Sequence, residues 1–131
     1  MLRKLQLSVF AIGLGMVASV QAESLSAGDC AEGGDFVKNA ALSRDNGIAA
    51  ERFIATLEED LSRVRDMPAA ARWFAYSDIE EQLLRKATLG VFMRPKNADI
   101  HRAEFVRLCD TVRNSVAYQD TKRPSSTSAG L

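Results

Sequence analysis

The chain has 131 residues, with 17 basic and 17 acidic side chains, one histidine and two cysteines. That balance removes the electrostatic case for binding nucleic acid or an anionic lipid surface. The length allows one domain with a single modest core, and no internal repeat is visible.

The N-terminal segment opens Met1-Leu2-Arg3-Lys4, continues as an apolar run over residues 5–20, and reaches Val20-Gln21-Ala22 before Glu23. A basic start, an apolar stretch and small residues at −3 and −1 of a cleavage point form the pattern of a secretory signal peptide. Residues 1–22 are therefore expected to be removed after Ala22. Gly13, Gly15 and Ser19 make the run too short and too polar for a comfortable span of ~20 residues, so no membrane contact is expected after cleavage. The expected location is the periplasm or the medium. Cleavage takes Arg3 and Lys4 but no acidic residue, leaving a formal charge of −2 on residues 23–131.

Two cysteines in an exported chain are expected to pair, because the compartment outside the cytoplasm is oxidising. A Cys30–Cys109 bridge closes a loop of about 80 residues, and in the loop-entropy picture that removes roughly 4–5 kcal/mol from the denatured state.

Residues 23–29 read as a short polar leader. Asp29 is expected to cap a first helix opening at Cys30, along which Cys30, Gly33, Gly34, Val37, Ala40 and Ala41 share a stripe. Gly33-Gly34 leaves two possibilities open: a later start with Asp35 as cap, or close approach of another helix. Asn46-Gly47 is a stop signal. A second, amphipathic helix is expected over 49–66, with Phe53, Ile54, Leu57, Leu61 and Val64 on one side and Met67-Pro68 ending it.

Residues 69–76 suit a short helix or turn carrying Trp73, Phe74 and Tyr76. Ser77-Asp78-Ile79-Glu80 fits a capping box for a third helix with Ile79, Leu83, Leu84, Ala87 and Val91 on one face. Asn97 or Asp99 caps a last helix on which Phe105, Leu108, Cys109, Val112 and Val116 align. Residues 118–131, rich in Ser, Thr and Pro towards the end, read as a disordered tail. No segment alternates with period two. The expected fold is all-α: a compact bundle of four to five short helices over 30–117, with the disulfide joining first and last helices.

Catalytic patterns are lacking. No Gly-x-Ser-x-Gly or phosphate-binding Gly-x-x-x-x-Gly-Lys occurs, and His101 has no second base. His101 reads as a surface histidine beside Asp99, Arg102 and Glu104. Glu58-Glu59-Asp60 and Asp78-Ile79-Glu80-Glu81 read as solvated faces and cap charges rather than an acid–base pair. With both cysteines paired, neither a metal nor any other cofactor is expected. Trp73, Phe74 and Tyr76 are the residues most suited to a protein partner if they reach the surface, and to the core if they do not.

Cys30, the segment Ala41-Leu42-Ser43-Arg44-Asp45-Asn46-Gly47, the turn Phe92-Met93-Arg94-Pro95 and Phe105-Val106-Arg107-Leu108-Cys109 together carry a resemblance. The chain resembles a loose group of small exported, two-cysteine, α-helical proteobacterial proteins without an assigned activity. The likeness covers residues 30–109, implies a helical fold with a disulfide, and carries over no functional residue. Periplasmic acid-stress chaperones and secreted-toxin immunity proteins share only small size, helices and a disulfide. The functional expectation is a non-enzymatic binding protein acting through a helical surface on an unknown protein partner. An acid-stress chaperone or a toxin-immunity protein is the alternative.

Overall fold

The computed structural model describes residues 23–124; the expected signal peptide at 1–22 and the end of the expected tail at 125–131 lie outside them. Five α-helices follow one another: α1 Ala27–Asp45, α2 Ala50–Arg65, α3 Asp78–Met93, α4 Ala98–Arg113 and α5 Val116–Lys122. A single 3-10 turn, Ala69–Ala71, interrupts the α2–α3 connection. No strand occurs among the described residues, and the disulfide-linked helical bundle expected from the sequence is present.

Helix α1 begins earlier than the Asp29 cap predicts. Ser26 is the cap: its hydroxyl accepts the Asp29 N–H at 3.0 Å, and the Asp29 carboxylate accepts the Ser26 N–H at 2.9 Å. This reciprocal pair satisfies two of the free donors at the helix start, so Asp29 serves from inside the first turn. The leader is thus half helix, and Leu25 before it is buried. Gly47, at φ +87°, ends α1 in the left-handed conformation that glycine tolerates.

The two glycines inside α1 mark a close helix contact. A Cβ on Gly33 would lie 2.6 Å from Phe105 Cε1 and 2.9 Å from Phe74 Cε2, and one on Gly34 2.6 Å from Val106 Cγ2. Of the two possibilities left by the sequence, close approach is the one realised, with α4 as the partner. Directly below, Cys30 and Cys109 are joined with Cα atoms 5.5 Å apart, both fully buried. Cys109 belongs to α4, the last long helix, and α5 follows as one further short piece.

Helix α1 packs most extensively on α4 and next on α3, while α2 lies against α3. The space between α1 and α2 is filled by rings. Phe92, Phe53, Phe36, Trp73, Phe74 and Phe105 form an unbroken series with successive centroids 5.6–6.1 Å apart, crossing from α3 to α4. Tilted contacts of this kind add to the burial of each ring.

The expected tail from residue 118 is corrected in its first part. Residues 116–122 are helical, capped by Ser115, whose hydroxyl accepts the Tyr118 N–H, and Tyr118 is buried. Two apolar positions of α4's expected face are also corrected: Leu108 is 49% exposed, and Val116 lies beyond α4 and is more exposed still.

Candidate functional site

The aromatic cluster expected to meet a partner is divided by the backbone. Phe74 has φ +57°, a left-handed conformation costly for a residue with a Cβ. That turn drives its ring fully into the core, while Trp73 points outward and stays 38% exposed. The Trp73 indole N–H donates to the Glu32 carboxylate. Tyr76 is half-buried, and its hydroxyl donates to Asp29 Oδ1 at 3.0 Å. Burial and this bond push the Tyr76 phenol up to about 12. The three side chains therefore do not form one surface.

Two acids read as solvated are buried. Glu80 has no exposed surface and Glu81 almost none. The signal that places them is present in the sequence, because they precede Leu84, Thr88 and Val91 at helical spacing on the buried stripe of α3. Glu81 accepts from Arg65 Nη2 at 2.7 Å and lies 3.5 Å from Arg85. Glu80 accepts from the Tyr118 hydroxyl at 2.6 Å, from Lys122 Nζ at 2.5 Å and from the Ser77 hydroxyl. Ser77 thus spends its side chain on Glu80 rather than on the helix backbone, and the expected capping box is not formed. Lys122 also sits 5.4 Å from the Tyr118 ring centre and donates to Ser77. The hydroxyl of Tyr118 accepts the Leu25 N–H at 3.0 Å. One buried carboxylate thereby fastens both α5 and the segment before α1 to the start of α3.

His101 is likewise corrected from surface to interior, at 6% exposure. Its Nε2 lies 3.1 Å from the Arg94 carbonyl oxygen and 3.5 Å from Arg44 Nη1. Arg44, at the end of α1, donates to the carbonyls of Val91 (2.7 Å), Arg94 (3.0 Å) and Lys96 (2.7 Å). Arg44 and His101 together stitch the α3–α4 turn, which is a structural task. Among the described residues no three His, Cys, Asp or Glu side chains converge as metal ligands. None of the described helices is long and apolar enough to cross a membrane.

The seam between α3 and α4 is open to solvent. These helices run antiparallel through the 94–97 turn, both resting on α1 and touching one another little. The trough between them has two parts. Towards the start of α3 it is a shallow depression of about 390 Å³ lined by Asp78, Ile79, Gln82, Leu83, Lys86 and Val112. Towards the 94–97 turn it narrows to a pocket of about 90 Å³, backed by the buried Val37 of α1 and Phe105, with Lys86, Arg94, His101 and Glu104 around them. Lys96 Nζ lies 2.7 Å from Glu104, whose carboxyl is held below its ordinary range by that hydrogen bond.

No protein-family model, curated protein or solved structure matches this chain.

The site is therefore judged on its own chemistry. The depression is floored by three aliphatic side chains, Ile79, Leu83 and Val112, and Leu108 extends the apolar strip along α4. Its rim carries two opposite charges, Asp78 and Lys86, eight residues apart on α3. Both are exposed, and neither has an ion-pair or hydrogen-bond partner among the described residues. Sequence reasoning does not single out this surface, because Ile79, Leu83 and Val112 satisfy the helical period of their shared faces. Periodicity cannot tell a filled seam from an open one.

Proposed function

We propose that this chain is a non-enzymatic, exported binding protein that engages a helical segment of its partner in the α3–α4 trough. One observation carries the reading: an apolar strip between two antiparallel helices, with Ile79 and Leu108 exposed and Leu83 and Val112 half-buried between them, faces solvent. A trough of that form suits a helix laid lengthwise, its own apolar stripe meeting the strip. The signal-peptide pattern, the disulfide and the resemblance to small exported helical proteins support a place outside the cytoplasm.

Site-specific photocrosslinking tests the reading. A photoreactive amino acid is placed at Leu83, at Leu108, at Trp73 or at Glu51 of α2, and the protein is expressed with its own N-terminal segment. The expected result is an adduct of one common mass from Leu83 and Leu108, lost on Ile79→Arg and not produced from Trp73 or Glu51. Equal adducts from all four positions, or none from the trough, refute the assignment. Adducts from Trp73 alone transfer the function to the exposed indole.

The acid-stress chaperone is the second reading, favoured by the burial of Glu80 and Glu81. Their charges are answered by Lys122 for Glu80 and by Arg65 and Arg85 for Glu81, so the joints of α3 with α2 and α5 are ionic. Client solubility at about pH 3 is the test. A domain that remains natively packed there and protects no client excludes it.

A further inference from the structure

We infer that the occupant of the α3–α4 trough is the same surface of a second copy of this chain, brought up by a two-fold axis passing beside Gln82. This rests on the reading of the trough as a binding surface and names its partner. The argument begins with the rim charges. Asp78 and Lys86 form no ion pair among the described residues, are opposite in sign, and stand symmetrically four residues before and after Gln82. They lie about 12 Å apart along the helix at 1.5 Å per residue. If a second α3 is laid antiparallel across the first with Gln82 at the crossing, residue 78 of each copy falls opposite residue 86 of the other. Both rim charges are then answered, twice, by one operation.

Three further features fit the same axis. A residue on a two-fold axis meets its own copy, so a charge there would face its like. Gln82 is neutral, and its amide both donates and accepts, so two copies can bond to each other. The apolar strip on either side is self-complementary in kind: Ile79 and Leu83 of one copy meet the aliphatic floor of the other, including Val112. Of the neighbouring charges, Arg85 feels Asp78 only as its weakest influence. Arg85 is held by Glu58 and Glu81, and Glu81 is buried between Arg65 and Arg85. An unrelated partner would have to supply an acid and a base at the same spacing. A second copy does so by construction, and the ion pairs then set the register while the aliphatic strip drives association.

The experiment is a charge exchange followed by sedimentation equilibrium of the oxidised protein, free of its N-terminal segment 1–22. The unaltered chain is expected to dimerise. Asp78→Lys places like charges opposite each other twice, as does Lys86→Asp, and each is expected to weaken the dimer at least about tenfold. The double exchange, D78K with K86D, should return the constant to within about threefold of the original. An equimolar mixture of the two single variants should form a heterodimer, since both contacts are then attractive. Thermal melting of each variant checks that α3 remains folded, and Ile79→Arg, which leaves the charges alone, should also give a monomer. A chain that stays monomeric to about millimolar concentration overturns the inference, as does a dimer indifferent to the exchanges. If it is monomeric while Leu83 and Leu108 still crosslink to another protein, the two-fold pairing fails and the trough keeps its role. If neither result is obtained, both fail.

Discussion

The Tyr118 hydroxyl donates to the buried Glu80 carboxylate at 2.6 Å while accepting the Leu25 N–H at 3.0 Å. Three segments far apart in the sequence are thus held by one oxygen atom. Tyr118→Phe keeps the ring and its burial but removes that atom. It leaves the Leu25 N–H without a partner and Glu80 with only Lys122 and Ser77. The expected cost is about 1–3 kcal/mol, read from urea unfolding. Hydrogen exchange should locate the loss at residues 23–26 and in α5, with α1 and α4 unchanged.

Acid sensitivity follows from carboxylates held below their ordinary value of 4.5. The hydrogen bond from Arg85 lowers Glu58, and that from Lys96 lowers Glu104. Below 4.5 the unfolded chain takes up protons that the folded chain resists, so stability is present above that pH and falls as pH drops through the lower, folded values. Urea midpoints measured downwards from pH 6 should decline from about pH 4.5, and Glu58→Gln should flatten the slope.

The alkaline limb has the opposite sign. Burial, and then the hydrogen bond to a carboxylate, raise both tyrosines; Tyr76 reaches about 12 and Tyr118 moves in the same direction. These are the two tyrosines of the chain. Stability from them is intact below the ordinary value of 10 and is lost as pH rises through the folded values. The near-ultraviolet tyrosinate signal of the native protein should rise well above pH 10, whereas in denaturant it should rise near 10. A native titration centred at 10 contradicts the buried, bonded phenols.

Glycine substitutions should separate by neighbour rather than by helix propensity. Gly33→Ala gains about 1 kcal/mol of propensity but drives a methyl onto the rings of Phe105 and Phe74, both buried and unable to move aside. A net loss of about 1–3 kcal/mol is expected. At Gly90 the nearest atom is the end of the Arg94 side chain, at 3.5 Å. Gly90→Ala should therefore stabilise by about 0.5–1 kcal/mol. Thermal melts of the two variants should move in opposite directions.

The parts of the fold that could be read from residues were those with local causes. The Gly47 stop, the Met67-Pro68 break and the Asn97 cap each act within a few positions, and α2 announces itself by its amphipathic period. The misplacements have long-range causes. Helix α5 contributes one buried residue, Tyr118, so it has no period, and its anchor lies on α3. Glu80 sits on an apolar stripe, yet its neutralising partner Lys122 is 42 residues away, a distance at which spacing carries no information. His101 is buried because Arg44, from another helix, closes the 94–97 turn above it. The trough was invisible for a different reason: the residues facing it are the kind that fill cores, and where α3 and α4 separate, Ile79 and Leu108 stay exposed while Leu83 and Val112 are only half-buried.

The tight seat that Gly33 and Gly34 provide for α4 joins the first helix to nearly the last one made. During synthesis α1 emerges without the element that covers it, and local contacts alone cannot bury its stripe. Such a long-range pairing delays cooperative closure until the chain is almost complete. The Cys30–Cys109 bridge, 79 residues apart in the sequence, can close only after that delay.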